Sequence, residues 1–485
     1  MFSLPSLSLL LPAISTLASG LAIPHNTSSF QIQWKNVTTN LDFGTLHVPI
    51  DWDNRHGETV QLGMYRHKAL KPDQKVGTLM FNPGGPGYNA SVYVQYAQYA
   101  FGPDAYNYFD IVGLDTRGVG ASSPIKCDPE IYNERVSMWP STQSELDALV
   151  GQYQRLGESC LEMSGSLVAH MDSISVAKDM EAIRLALNDG KLNYLGLSYG
   201  TLYGSTYAEL FPHNIRSMVL DGNMDHSQDE ISYLTVNGDT METGLTRFSE
   251  WCAQNSTCAL HKTDVLTVFD DLVKHANEHP IPAPGCKASG TCRSDVTGQE
   301  LQSNIGNLLW FKTAVGLETS WADLAGALYL ATQGNATALS SSLATSPSSD
   351  VYQSTAIHCL DWTHPPNSLS EIKYREELSN GTTPHIGGAG SSRNECIGWP
   401  IAQKYHERRV HIRGTPQILQ TNALHDPSTS YVGASNMHTQ IQNSVLLTRR
   451  GDGHTSYFQF GETSRAIDAY LVHLTVPEPN TVLDS

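Results

Sequence analysis

A chain of 485 residues exceeds what one hydrophobic core supports, so two domains, or one domain with a large insertion, are expected. Hydrophobic content of 40% with 16% charged residues is that of a globular protein in water. The 30 basic against 48 acidic residues, a formal charge of −18, argue against nucleic acid or an anionic membrane as partner.

Residues 1–22, MFSLPSLSLLLPAISTLASGLA, carry no charge and read as a signal peptide. Ala18, Gly20 and Ala22 permit cleavage after Gly20 or Ala22, although no lysine or arginine precedes the apolar run. No later stretch of about 18 apolar residues follows, so no membrane anchor is expected. Stretches 30–37, 44–52 and 59–70 alternate and are rich in β-branched and aromatic residues, as strands are. Residues 76–82 form a further strand that runs into Asn82-Pro83-Gly84-Gly85-Pro86-Gly87, a loop of wide backbone freedom. The continuous apolar run 109–114, ending in Asp115-Thr116-Arg117-Gly118, suits a buried parallel strand. Thr142 followed by Glu145 predicts a capping box opening a helix to about residue 163. A second amphipathic helix is expected over 173–188. Then come a short apolar run, the turn Gly196-Leu197-Ser198-Tyr199-Gly200, a helix to about residue 209, and a strand over 215–220 closing at Asp221-Gly222.

The alternation of strand and helix then breaks. Residues 224–405 hold six of the eight cysteines, little parallel-strand signal, and helical segments such as 265–279 and 302–316. From Thr415 the rhythm returns: a strand over 415–424, a helix over 429–442, a strand over 444–451 and a last helix over 464–473. The pattern predicts an α/β fold, a mostly parallel doubly wound sheet with a mainly helical cap inserted before its last strands. The expected division is a signal peptide at 1–22, the core at 23–223 and 406–485, and the cap at 224–405. Substrates of such sheets bind at the carboxyl ends of the strands, beneath the cap.

Eight cysteines fit an oxidising compartment, and no C-x-x-C pair is present, which speaks against zinc and thioredoxin-type sites. Proximity pairs Cys252 with Cys258 and Cys286 with Cys292; for the other four, Cys127–Cys160 and Cys359–Cys396 are a working assignment. Sequons at Asn26, Asn36, Asn89, Asn255, Asn335 and Asn380 suit a secreted glycoprotein, though chance supplies several in a chain of this length.

The G-x-S-x-G turn has the form of a nucleophile elbow, in which a serine sits on a strained turn between strand and helix. A serine nucleophile needs a base, and the base an orienting acid, in the chain order Ser, Asp or Glu, His. Asp426 and His454 each follow one of the returning strands, on the same sheet edge as Ser198. His454 is one of 19 histidines, and its place in a Gly-Asp-Gly-His turn after the last predicted strand distinguishes it. Asp221 also ends a strand and competes as the acid, whereas Asp452 is too close in sequence to reach the far imidazole nitrogen. The amide of Tyr199, with that of Gly84 or Gly85, would bind the oxyanion. The glycine loop lacks the lysine of a phosphate loop. His406-Glu407 with His411, and His275 with His279, lack metalloprotease spacing. No metal or cofactor is expected.

Taken together, residues 82–87, Asp115 with Arg117-Gly118, residues 196–200 and Leu220-Asp221-Gly222 resemble a known family. Trp251-Cys252 with Cys258, Cys359-Leu360-Asp361 with Cys396 and Trp399-Pro400, Asp426 and Gly453-His454 extend the match. The chain resembles the α/β-hydrolase family of secreted tripeptidyl and prolyl aminopeptidases, serine peptidases related to proline iminopeptidase. The resemblance implies Ser198, Asp426 and His454 as nucleophile, acid and base, and a Cys359–Cys396 disulfide. It also implies cap carboxylates that hold the substrate's free amino group, for which Asp225, Asp229, Glu230 and Asp361 are candidates. The expected activity is release of residues or short peptides from free N-termini, the partner being a peptide or small acyl substrate. Two alternatives stand beside it: an esterase, lactonase or amidase acting on a small metabolite, and a non-catalytic binding protein on the same fold.

Overall fold

The computed structural model describes residues 30–313, 319–388 and 393–484. The expected signal peptide and Asn26 lie outside them. Ten strands form one sheet: β1 (Gln33–Asn36), β2 (Leu41–Pro49), β3 (Thr59–His67), β4 (Gly77–Asn82), β5 (Phe109–Asp115), β6 (Leu192–Leu197) and β7 (Ile215–Asp221), then β10 (Ile418–His425), β11 (Ser444–Asp452) and β12 (Val482–Asp484). Two-residue strands β8 (Ile281–Pro282) and β9 (Asp295–Val296) pair separately within the insertion. The order in the large sheet is β1-β2-β3-β5-β4-β6-β7-β10-β11-β12. Pairings from β1 through β3 to β5 are antiparallel, and every pairing from β5 to β12 is parallel. The sheet is therefore the mostly parallel α/β-hydrolase arrangement that the sequence predicts, with β12 added at the far edge where no strand is expected.

Alternate side chains of each strand enter opposite cores, as pleating requires. Leu79 and Phe81 of β4 pack with Ile111, Leu195, Val219 and the helix Glu462–His473 on one face. Met80, Val112, Tyr194 and Met218 pack on the other against the helices Ser173–Leu187 and Tyr199–Leu210. Between β7 and β10 the chain leaves the sheet. Residues from Met241 to Leu339, with Ile386, close around a core of their own. The stretch from Tyr352 to Trp362 and the segment around Cys396 to Tyr405 instead join the core beneath the sheet. Leu234, Ile372 and Ile397 pack in a further cluster with Trp139, Leu146 and Leu149, so the insertion is divided among three cores. All four disulfides form: Cys127–Cys160, Cys252–Cys258, Cys286–Cys292 and Cys359–Cys396. Among the described residues no helix is long and apolar enough to cross a membrane.

Two helices differ from expectation. Thr142 accepts from the amide of Glu145, but the Glu145 carboxylate turns to the amide and hydroxyl of Ser141, outside the predicted capping box. The helix expected over 302–316 is instead Gly298–Leu308, opened by a complete capping box between Thr297 and Glu300. Its early end releases Leu309, Trp310, Phe311 and Lys312 as a strap.

The turn after β5 is held by a buried ion pair. Arg117 and Asp179, both essentially without solvent exposure, meet through Nε at 2.7 Å and Nη2 at 2.6 Å. The same guanidinium donates to the carbonyls of Ile50, His170 and Pro49, and Trp52 donates to Asp179. Removing one partner of such a pair strands a charge in a medium that cannot solvate it. Arg117→Met is expected to destabilise the fold by about 3–5 kcal/mol, read as a lowered urea midpoint; an unchanged midpoint contradicts this assignment.

Candidate active site

Ser198 sits between β6 and the helix Tyr199–Leu210 with φ 53° and ψ −122°, a conformation costly for any residue with a Cβ. Hydrogen bonds on both sides hold it there. Its amide donates to the carbonyl of Asp221 at the end of β7 (2.8 Å), and its carbonyl accepts from the amide and hydroxyl of Thr201 (2.8 and 2.6 Å). The loop after β4 packs directly on this turn. A Cβ on Gly200 would lie 2.7 Å from the carbonyl oxygen of Asn82, and one on Gly84 would lie 2.5 Å from that of Leu197. Gly84 also has φ +93°, so both positions require glycine for space, and Gly84 for conformation as well. The amide of Gly84 is spent on Asn82 Oδ1 at 2.9 Å, while Gly85 lines the cavity at Ser198. The two glycines thus differ: Gly84 is bonded within its own loop and Gly85 borders the cavity.

Asp426 follows β10 and His454 follows β11, and the parallel pairing of these strands brings the two loops together. His454 Nδ1 lies 2.9 and 3.0 Å from the two Asp426 oxygens. The carboxylate also accepts from the amides of Ser428, Thr429 and Thr455 and from the Thr429 hydroxyl. Burial pushes the Asp426 pKa up, but His454 and these donors outweigh it and hold the carboxyl below its ordinary range. A proton on Nδ1 leaves Nε2 as the basic nitrogen. Nε2 is buried and has no hydrogen-bond partner among the described residues, and His454 and Ser198 line one cavity. Asp221, the competing acid, accepts instead from Thr421 Oγ1 and the amides of Ser456 and Tyr457. Asp452 pairs with Arg247 and Lys312. Arg449, on β11, donates to the carbonyls of Asp452, Gly453 and Thr455 and so shapes the turn that presents His454.

The cavity has a volume of about 20 Å³, room for a single water. Aromatic rings of Tyr88, Tyr93, Trp310, Phe311 and Phe458 surround it, and among the described residues no carboxylate lines it. Its roof is the strap. The carbonyl of Trp310 accepts from the amide of His454 at 2.6 Å, the two rings lie 5.2 Å apart, and Lys312 anchors the strap to Asp452 at 2.8 Å. Sequence reasoning missed the strap because a helix pattern ran through it.

The four carboxylates proposed for a substrate amine are not brought to this cavity. Asp361 is fully buried and accepts from Ser173 and Tyr199. Asp225 is bound by Ser227, Asn436 and Gln440. Asp229 caps the helix Glu230–Gln254 through the amide of Ser232, and Glu230 pairs with the buried Arg375. Each carries these contacts within the fold, Asp229 remaining exposed at the start of its helix. Of the described sequons, Asn36 and Asn380 are exposed and Asn89, Asn255 and Asn335 half-buried.

Comparison with known proteins agrees with this architecture. Residues 77–276 match the alpha/beta hydrolase fold family, and residues 383–483 match the TAP-like protein family. The chain is 30% identical over 441 residues to a tripeptidyl aminopeptidase of Streptomyces coelicolor, covering 86% of this chain and 78% of that one. It is 29% identical over 453 residues to the serine protease Hip1 of Mycobacterium tuberculosis, covering 90% and 85% of the two chains. Carboxylesterase B of Mycobacterium tuberculosis is 26% identical over 445 residues, covering 88% and 83%.

The buried acids near the site set a pH dependence. Burial, reinforced by Asp172, pushes Asp361 up to about 7, and burial pushes Asp468, which accepts from Tyr457, up to about 6. The folded protein keeps these protons above about pH 4, where an unfolded chain loses them, so stability is full below that pH and falls as pH rises toward 7. Asp426 and Asp452 act in the opposite sense, but only as pH falls below about 4. Buried histidines such as His226, pushed down to about 4 by burial, act in the opposite sense up to about pH 6.5, so the expectation is comparative: between pH 5 and pH 8 the melting temperature of Asp361→Asn loses the downward contribution that Asp361 makes in the wild type, and equal slopes in the two proteins contradict the assignment.

Proposed function

The chain belongs to the α/β-hydrolase family of tripeptidyl aminopeptidases, and from that premise we propose that it is a serine exopeptidase releasing residues or short peptides from free N-termini. The observation that carries the chemistry is the Asp426–His454 pair, whose Nε2 is left unbonded on a cavity shared with the elbow serine. In this mechanism His454 Nε2 takes the proton of Ser198 Oγ as that oxygen attacks the substrate carbonyl. Asp426 holds the imidazole in the required tautomer and stabilises the imidazolium. The amides of Tyr199 and Gly85 receive the oxyanion. Collapse of the tetrahedral adduct passes the proton to the leaving amine, and water then hydrolyses the acyl-enzyme by the same steps in reverse. The cap and its strap close the cavity from above, which supports action at chain ends. The four disulfides support work outside the cell, where such bonds persist.

One observation favours a second reading, an esterase or lactonase of a small metabolite: five aromatic rings line the cavity, and among the described residues no carboxylate there could take a substrate ammonium. A rate comparison separates the two. For the exopeptidase, a tripeptidyl p-nitroanilide with a free amino terminus is expected to exceed its N-acetylated form in kcat/KM by about 10- to 100-fold, the worth of a charged hydrogen bond. Equal rates on the two forms, with faster turnover of p-nitrophenyl esters, would establish the esterase instead.

A further inference from the structure

Tyr199 supplies more to the site than its amide. Its ring is buried, edge-on to Tyr203 at 5.5 Å and tilted against His358 at 5.6 Å. Its hydroxyl donates to Asp361 Oδ2 at 2.8 Å and accepts from Trp362 Nε1 at 3.0 Å. The hydroxyl is thus fixed from two directions and the ring from two more. Asp361 is itself immobilised, with Oδ1 on the amide of Ser173 (2.8 Å), Oδ2 on the Ser173 hydroxyl (2.6 Å), and its carbonyl accepting from His226 Nε2 (2.6 Å). The Cys359–Cys396 disulfide ties the same short segment to the chain beyond.

We propose that Asp361 is a positioning residue for the oxyanion hole, acting through the phenol of Tyr199. The physical reason lies in the strain at Ser198. A residue held at φ 53° relaxes by rotating its neighbouring peptide planes, and rotation of the Ser198–Tyr199 peptide would turn the Tyr199 amide away from the developing oxyanion. Anchoring the far end of the Tyr199 side chain fixes its Cα and with it the plane of that peptide. The anchor comes from the insertion, so residues far from the elbow in sequence hold one of its two oxyanion donors in register. The proposal rests on Ser198 as nucleophile and the Tyr199 amide as donor.

The test compares Tyr199→Phe, Asp361→Asn and the double variant in the full chain, assayed with p-nitrophenyl butyrate, with Ser198→Ala as reference. Complete loss of an oxyanion donor costs about 100- to 1,000-fold in kcat, so misplacement of one is expected to cost about 10- to 100-fold. KM should stay within about twofold, and the double variant should be no slower than the slower single, because both changes break one linkage. Ser173→Ala loses one of the contacts that hold Asp361 while the Tyr199–Asp361 bond stays, and is expected to lower kcat less than Asp361→Asn does. Tyr199→Phe removes a single hydroxyl and keeps the test open if Asp361→Asn fails to fold. Wild-type kcat in folded Tyr199→Phe, or losses that multiply in the double variant, overturns the proposal. Activity surviving in Ser198→Ala overturns the nucleophile assignment instead.

Discussion

The site depends on a backbone conformation that Ser198 would not adopt alone. Its positive φ is retained because the amide is tied to β7, the carbonyl to Thr201, and the loop after β4 closes over the turn with glycines where any Cβ would collide. Three strands, β4, β6 and β7, therefore meet at one residue. The hydroxyl that results stands at the carboxyl edge of the sheet, where the loops after β10 and β11 can reach it.

Those two loops carry a second constraint, the placement of three buried or half-buried acids around one histidine turn. Asp426 takes the imidazole, Asp221 takes the amides just beyond it, and Asp452 takes the cations Arg247 and Lys312 just before it. Arg449 gathers the carbonyls of the same turn. Each charge has its own partners, so one carboxylate alone is left to set the tautomer of His454. Cap and core are joined at the same place, because Arg247 and Lys312 both belong to the insertion.

How much of this is legible in the sequence follows from the range of the interactions. Strand β6, the elbow and the helix behind it form a local pattern, and so do the glycine loop and the strands that lead to Asp426 and His454. Local patterns survive into the fold. The helix Glu230–Gln254 gave no such signal, since Gly238, Gly244 and several threonines interrupt it and only packing makes it helical. The fate of the carboxylates was equally hidden. Nothing local marks Asp361 or Asp225 as buried and bonded, and only the folded chain puts Ser173 and Tyr199 around one and Asn436 and Gln440 around the other. Trp310 was lost to a helix pattern that the chain abandons two residues earlier.

The most direct measurement is peptide mapping of the folded protein after treatment with a fluorophosphonate. A serine activated as described reacts through the same attack as on a substrate carbonyl, so the adduct should fall on Ser198 alone, and His454→Ala should abolish it while leaving the thermal transition in place. An adduct on another residue, or undiminished labelling in folded His454→Ala, would contradict the account.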